Sequence, residues 1–180
     1  MRRLLNAAVA AAALGLALPA MADTDDTDLL RKLADPELER WQRVERQIIA
    51  EWSKSGSPSM DMLLRRGQAA LEAGQTEAAI EHLTALTDHA PEFAEGWNAR
   101  AVAFFRAGRY GPAMADLART LELNPQHFGA IAGLGAILEE TGRDAEALAV
   151  FRRAQAIHPH QPAIRRAVER LEGRVMGFDA

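Results

Sequence analysis

No cysteine occurs among the 180 residues. Disulfides, thiolate zinc sites, cysteine nucleophiles and a lipidated N-terminal cysteine are thereby excluded, and only histidine and carboxylates remain as metal ligands. Positive charge is in short supply as well: 21 Lys plus Arg stand against 25 Asp plus Glu, a formal charge of −4. With a sequence pI of about 5.8, the chain lacks the field that grips a phosphate backbone, and no nucleic-acid partner is expected. The patterns G-x-x-x-x-G-K-[ST], G-x-S-x-G and H-E-x-x-H are missing. Neither a phosphate loop, nor a nucleophile elbow, nor a zincin helix is therefore expected, and no catalytic residue, metal or cofactor is assigned. What remains packs: 48% of the residues are hydrophobic and 26% charged, close to globular averages, over a length that suits one folding unit.

The first residues are an address. Met1-Arg2-Arg3 precedes an apolar run from Ala7 to Leu18, then Pro19-Ala20-Met21-Ala22. This is the charged, apolar and small-residue layout of a secretory signal, predicting residues 1–22 as a signal peptide cleaved near Ala22. The run is well short of the ~20 residues that cross a bilayer, so it is not a membrane anchor. Cleavage removes Arg2 and Arg3 and no acid, leaving 19 basic and 25 acidic side chains and a charge of −6. No later segment approaches spanning length, so the mature chain is expected to be periplasmic, or secreted, with no membrane span.

The rest is organised by a period of 34 residues. Gly74, Gly108 and Gly142 fall in one column, as do Ala79, Ala113 and Ala147, and Pro91, Pro125 and Pro159. The same frame aligns Leu63, Trp97 and Ile131; Gly67, Ala101 and Gly135; Ala70, Phe104 and Leu138; and Leu83, Leu117 and Phe151, without insertions. Within a unit, apolar residues recur at three and four positions, which is helical spacing. Each unit is therefore two helices, over about 60–72 and 77–89, 94–106 and 111–123, and 128–140 and 145–157. The glycine column ends the first helix, where a left-handed residue is needed. The proline column closes the second, which it cannot continue. Small residues at 67, 101 and 135 and the alanine column let the paired backbones approach.

These columns resemble the tetratricopeptide repeat, a 34-residue helix-turn-helix carrying W-x₂-L-G-x₂-Y, A-x₃-F and P. Trp97, Ala101, Phe104, Ala113, Leu117 and Pro125 of the central unit match it best, whereas the motif's Leu is Arg66 and Arg100 in two units and Leu134 in the third. The resemblance covers residues 60–161 and implies an all-α fold, an α-solenoid of three helix-turn-helix repeats with N- and C-terminal capping helices. It also implies a concave groove lined by the first helix of each unit, at its second, fifth, sixth, ninth, twelfth and thirteenth positions. Those positions supply Leu64, Leu71, Ala99, Gly129, Ala132, Gly133, Ala136 and Glu139 among others, and from them Arg65, Gln68, Asn98, Val102, Phe105 and Arg106 are the expected partner-binding residues. The Lys/Asn/Asn/Lys/Arg set with which some members hold chaperone tails is not matched, because Leu64 and Ala132 occupy two of its positions.

Outside the repeats, residues 162–180 form a capping helix and tail, with Ile164, Val168 and Leu171 on one face. Residues 23–59 divide into a mobile acidic leader to 33, a helix from Pro36 to about 53 capped by Asp35, and a Ser/Gly/Pro connector. The stripe Trp41, Val44, Ile48, Trp52 on that helix admits three readings: a cap on the first repeat, a helix lying in the groove or meeting a partner there, or a membrane-surface helix. His158-Pro159-His160 sets two imidazoles in a turn without a third ligand nearby, which makes for weak metal binding at most. The expected function is an exported, non-enzymatic scaffold or adaptor that binds a protein or peptide in its groove. The alternative is an accessory subunit or enzyme of cell-envelope (peptidoglycan) metabolism, against which stands the lack of an acid/base pair.

Overall fold

The computed structural model describes residues 24–177, so the predicted signal peptide lies outside the described residues. Nine helices, and no strand, are found among them: α1 (Thr24–Leu33), α2 (Trp41–Trp52), α3 (Pro58–Glu72), α4 (Thr76–His89), α5 (Ala94–Arg106), α6 (Tyr110–Leu123), α7 (Phe128–Glu140), α8 (Asp144–Ile157) and α9 (Pro162–Met176). No helix among the described residues is long and apolar enough to cross a membrane.

The pairs α3/α4, α5/α6 and α7/α8 are the three expected units. Each first helix ends in the same way. Gly74, Gly108 and Gly142 take φ values of 72°, 69° and 75°, and the residue after each donates its N–H across the end of the helix, to Ala70 O, Phe104 O and Leu138 O at 2.8, 2.8 and 2.9 Å. A side chain at these φ angles is strained, so glycine terminates the helix at least cost. The small-residue column sets how closely the paired helices approach. A Cβ added at Gly67 would meet Leu83 Cγ at 2.4 Å, and one at Gly135 would meet two Phe151 ring carbons at 2.9 Å.

Successive units stack through α4 on α5, α6 on α7 and α8 on α9, while α3, α5 and α7 lie side by side and form the inner face. The core follows this stacking. One apolar cluster runs from Leu64 through Leu83, Ala101 and Leu117 to Ile137; a second runs from Ile131 through Phe151 to Leu171. Helix α9 buries Ile164, Ala167, Val168 and Leu171 and so closes the C-terminal end. Glu139 fastens it, accepting from Arg170 Nε and Nη2 at 2.8 and 2.7 Å and pairing with Arg174 at 3.1 Å.

The N-terminal region departs from expectation in three ways. The acidic leader is helical. Residues from 24 form α1, which buries Leu29, Leu30 and Leu33, and its basic residues Arg31 and Lys32 sit in the last turn, where the helix dipole favours them. The Arg31–Asp28 pair and Lys32 Nζ, 3.0 Å from Asp28, brace it and hold the Asp28 carboxyl below the usual carboxylate range, through Lys32 first.

Second, α2 starts at Trp41 instead of Pro36. Asp35 Oδ1 does accept from Glu37 N, at 3.0 Å, but the Asp35 carbonyl accepts from Leu38 N at 3.2 Å and from His160 Nε2 at 2.8 Å. It is therefore not the acceptor that a helix running from Pro36 requires, and Asp35 caps a turn.

Third, the α1–α2 hairpin does not cap the first repeat. It packs on the turns before α7 and α9, sharing an apolar cluster with Phe128 and Ile157.

Candidate binding groove

The inner face is built from helix positions that the repeat frame repeats and the side chains vary. On α5, Asn98, Val102 and Phe105 stand in the i, i+4, i+7 relation of one helical stripe. Opposite them on α7, Gly129, Gly133 and Ala136 carry almost no side chain. The difference in bulk leaves a pocket of about 110 Å³, floored by Leu117 and Ile137. Its lining is mainly apolar, and Asn98 supplies the polar atoms at its rim. Val102 is 38% exposed, so an apolar branched side chain stays presented to solvent at the pocket mouth. Phe105 is held in place by Tyr110, with ring centroids 5.6 Å apart.

Three of the six expected groove residues, Asn98, Val102 and Phe105, thus meet at one pocket. Arg106 is exposed beside them, with Nη1 donating to Leu71 O at 2.7 Å, so the end of α3 fixes its guanidinium. Arg65 and Gln68 lie on α3 and do not line the pocket. Several positions that the resemblance places in the groove are core instead: Leu64, Leu71 and Ala99 are 2%, 7% and 5% exposed. Glu139 is occupied by α9, and Arg170 beside it holds its carboxyl below the ordinary value.

A neighbouring cavity of about 150 Å³ shares Asn98 and Gly129 with the pocket, and its other wall is Ile49 and Trp52 of α2. The hairpin therefore borders the groove along its edge. Histidines bind it there. His127 caps α7, its Nδ1 accepting from Ala130 N at 3.1 Å. The proton is consequently on Nε2, which donates to Glu95 Oε2 at 3.0 Å. The same carboxylate accepts from Asn98 at 3.2 Å, and Trp52 stacks on the imidazole with centroids 4.5 Å apart. A line of contacts thus runs from Trp52 through His127 and Glu95 to the pocket rim.

Further along, His158 is wholly buried, with Nε2 3.2 Å from Glu45 Oε1 and its ring edge-on to Trp41 and Phe128 at 5.4 and 5.0 Å. Among the described residues, Nδ1 of His158 has no hydrogen-bond partner. Burial lowers its pKa from the ordinary 6.5, against the opposing pull of Glu45. His160 stacks flat on Trp41, with centroids 5.8 Å apart. The His-Pro-His turn is accordingly a seat for α2, and among the described residues no group of three His, Asp or Glu is placed to hold a metal ion.

The periodicity did not reveal this seat. The available signal was a chemical match, with His127-Phe128 and His158-Pro159-His160 at the last two inter-repeat turns and a helix bearing Trp41 and Trp52 in need of a counter-face.

Comparison with known proteins agrees with this geometry. Two sequence profiles described as tetratricopeptide repeat match residues 64–128 and 104–171. A TPR repeat-containing protein of Rhizobium etli is 31% identical over 148 residues, spanning 82% of this chain and 72% of that protein. Among solved structures, the TPR domain of Arabidopsis OM64 superposes with a TM-score of 0.61 at 25% identity, covering 63% of this chain and 93% of that one. The first TPR of Spaghetti (RPAP3) bound to an HSP90 peptide gives 0.62 at 20% identity, over 65% and 93%. The Yersinia enterocolitica type III secretion chaperone SycD in complex with a YopD peptide gives 0.58 at 15%, over 68% and 94%. With three helix pairs in a 34-residue register and relatives of this kind, the chain belongs to the tetratricopeptide repeat family.

Proposed function

We propose that this chain is an exported, non-catalytic adaptor that binds a protein or peptide partner along the inner face of its helix array. The carrying observation is the pocket between α5 and α7, where Gly129 and Gly133 leave room beneath an exposed Val102. A pocket of about 110 Å³ is far below the ~300–1,000 Å³ of small-molecule sites and suits one anchoring side chain of a longer partner. Solved relatives of this fold hold peptides: RPAP3 an HSP90 peptide and SycD a segment of YopD. The groove here differs from a carboxylate-binding one, since Leu64 is core and Ala132 carries no polar group. Export is supported by the layout of residues 1–22.

Two experiments test the reading. A displayed peptide library is panned on the full chain and on Val102→Glu, a change at an exposed site that leaves the core intact. Selected peptides should lose at least tenfold in affinity for the variant, and equal binding by both proteins refutes the groove. For export, the intact mass of chain recovered from the producing cell should correspond to residues 23–180; an unprocessed chain refutes it.

A further inference from the structure

Among the described residues, no helix covers the face of α3 that points away from the array. In the repeat register, Met62, Leu63 and Arg66 of α3 correspond to Gly96, Trp97 and Arg100 of α5 and to Ala130, Ile131 and Leu134 of α7. In the second and third repeats these positions receive the second helix of the preceding repeat. A Cβ on Gly96 would lie 3.2 Å from Leu86 of α4, and Arg100 Nη1 reaches Thr84 Oγ1 of α4 at 3.4 Å. Ala130 and Ile131 are 0% and 1% exposed against the helix before them. Among the described residues repeat 1 has no such helix, because the α1–α2 hairpin that precedes it in sequence docks at the turns before α7 and α9. Met62 is left 47% exposed, and with Met60, Leu63 and Arg66 it lines an open recess of about 620 Å³.

The charge on this face is unmatched in the same sense. Arg100 forms a two-point ion pair with Asp116. In the third repeat both positions are apolar, Leu134 with Val150; in the first, Arg66 stands with His82 in the acid's place. Arg66 is exposed, and no hydrogen bond or ion pair to it is found among the described residues. The first-repeat arginine thus retains the charge of the second-repeat arginine without its acid.

We propose that α3 is a docking face for an amphipathic helix of a partner protein, which stacks on it as α4 stacks on α5. Such a helix sets small or apolar residues over Met62 and Leu63 and an Asp or Glu against Arg66. The face continues an interface that the array already uses twice, and its methionines adapt to the shape of what covers them. A second copy meeting it symmetrically would oppose Arg66 to Arg66, which disfavours a homodimer here. The proposal is independent of the groove, which lies between α5 and α7.

The test uses the full chain and a helix-stapled peptide of α4 sequence (residues 76–89) carrying Thr84→Glu, since Thr84 is the α4 residue that meets Arg100. Calorimetric titration should give one site, at least fivefold tighter than for the unaltered α4 peptide. Arg66→Glu in the protein should reverse that preference, and Met62→Lys should abolish binding while leaving the melting curve unchanged. The proposal is overturned by absence of binding, by a preference unmoved in Arg66→Glu, or by loss of binding in Val102→Glu, which would put the peptide in the groove. A dimer in sedimentation equilibrium that Met62→Lys dissociates overturns it too, by making a second copy the occupant.

Discussion

The Arg100–Asp116 pair permits a prediction in which the chain supplies its own control. Arg100 Nε and Nη2 donate to Asp116 Oδ2 and Oδ1 at 2.7 and 2.8 Å, and the side chains are only 14% and 6% exposed. Removing one member of such a pair strands a charge out of water, at a cost of about 3–5 kcal/mol. Asp116→Val should fall near ~3 kcal/mol, because the guanidinium keeps Thr84 and the faces of Trp97 and Phe104, 4.8 and 5.6 Å from their centroids. Arg100→Leu should cost more, about 4 kcal/mol, because the buried carboxylate then has no cation. The double change Arg100→Leu/Asp116→Val reproduces what the third repeat already has at these positions, Leu134 with Val150, where Leu134 packs into both main apolar clusters. Its stability should lie within about 1 kcal/mol of the parent, since a well-packed apolar pair matches or exceeds a buried ion pair. The coupling between the two sites then reaches or exceeds the ~3 kcal/mol upper end for residues in contact. Urea unfolding followed by far-UV circular dichroism, with all four proteins measured at one pH, reads the cycle. Additive losses, or a double variant no more stable than the worse single one, would refute the reasoning.

Gly67→Ala should destabilise by about 1–2 kcal/mol net, since a Cβ 2.4 Å from the fully buried Leu83 puts overpacking at the upper end of its usual range, ~2–3 kcal/mol, and improved helix propensity returns ~1 kcal/mol; a melting point equal to or above the parent's would contradict it. Gly108→Ala, at φ 69° with open space around it, isolates backbone strain and should cost about 1–2 kcal/mol by chemical denaturation. Burial holds the His158 pKa below 6.5, so the docked hairpin is stabilised in full above that pH. As pH falls below 6.5, the released state takes up a proton that the docked state resists, and docking weakens until the pH passes the docked pKa. Hydrogen exchange of α1–α2 amides, corrected for intrinsic rates, should accelerate between pH 7.5 and 5.5 while α5 amides do not, and His158→Gln should abolish the pH response. Glu139 carries the opposite sign. Arg170 depresses its pKa, so its hold on α9 is present above about pH 4.5 and is lost below it, and Glu139→Gln should flatten the acid limb of the thermal melting curve.

How far the sequence could be read depends on whether a contact recurs. Glycine at 74, 108 and 142 and the small residues at 67, 101 and 135 each do one job at a fixed interval, so three copies report the same constraint and locate the helix pairs to within two residues. The hairpin contacts occur once. Glu45 and His158 are 113 residues apart, and Asp35 meets His160 across 125; no register in the chain repeats either separation. Nor does composition betray α1, whose acids suggest a solvated tail although Leu29, Leu30 and Leu33 occupy one side of a helix.

The groove lies between these cases. Its helical stripe follows from the period, which brings Asn98, Val102 and Phe105 together. Which positions of the stripe are open and which are core depends on the neighbouring helix. Leu64 and Leu71 are sealed, whereas Val102 stays open because α7 offers it Gly129 and Gly133. A repeat therefore fixes where its helices go, and the places where it departs from itself are the places where one surface of this array differs from another. Glycines opposite Val102, histidines at the last two turns and an arginine without its acid at 66 are such departures, and each coincides with a pocket, a docked hairpin or an uncovered face.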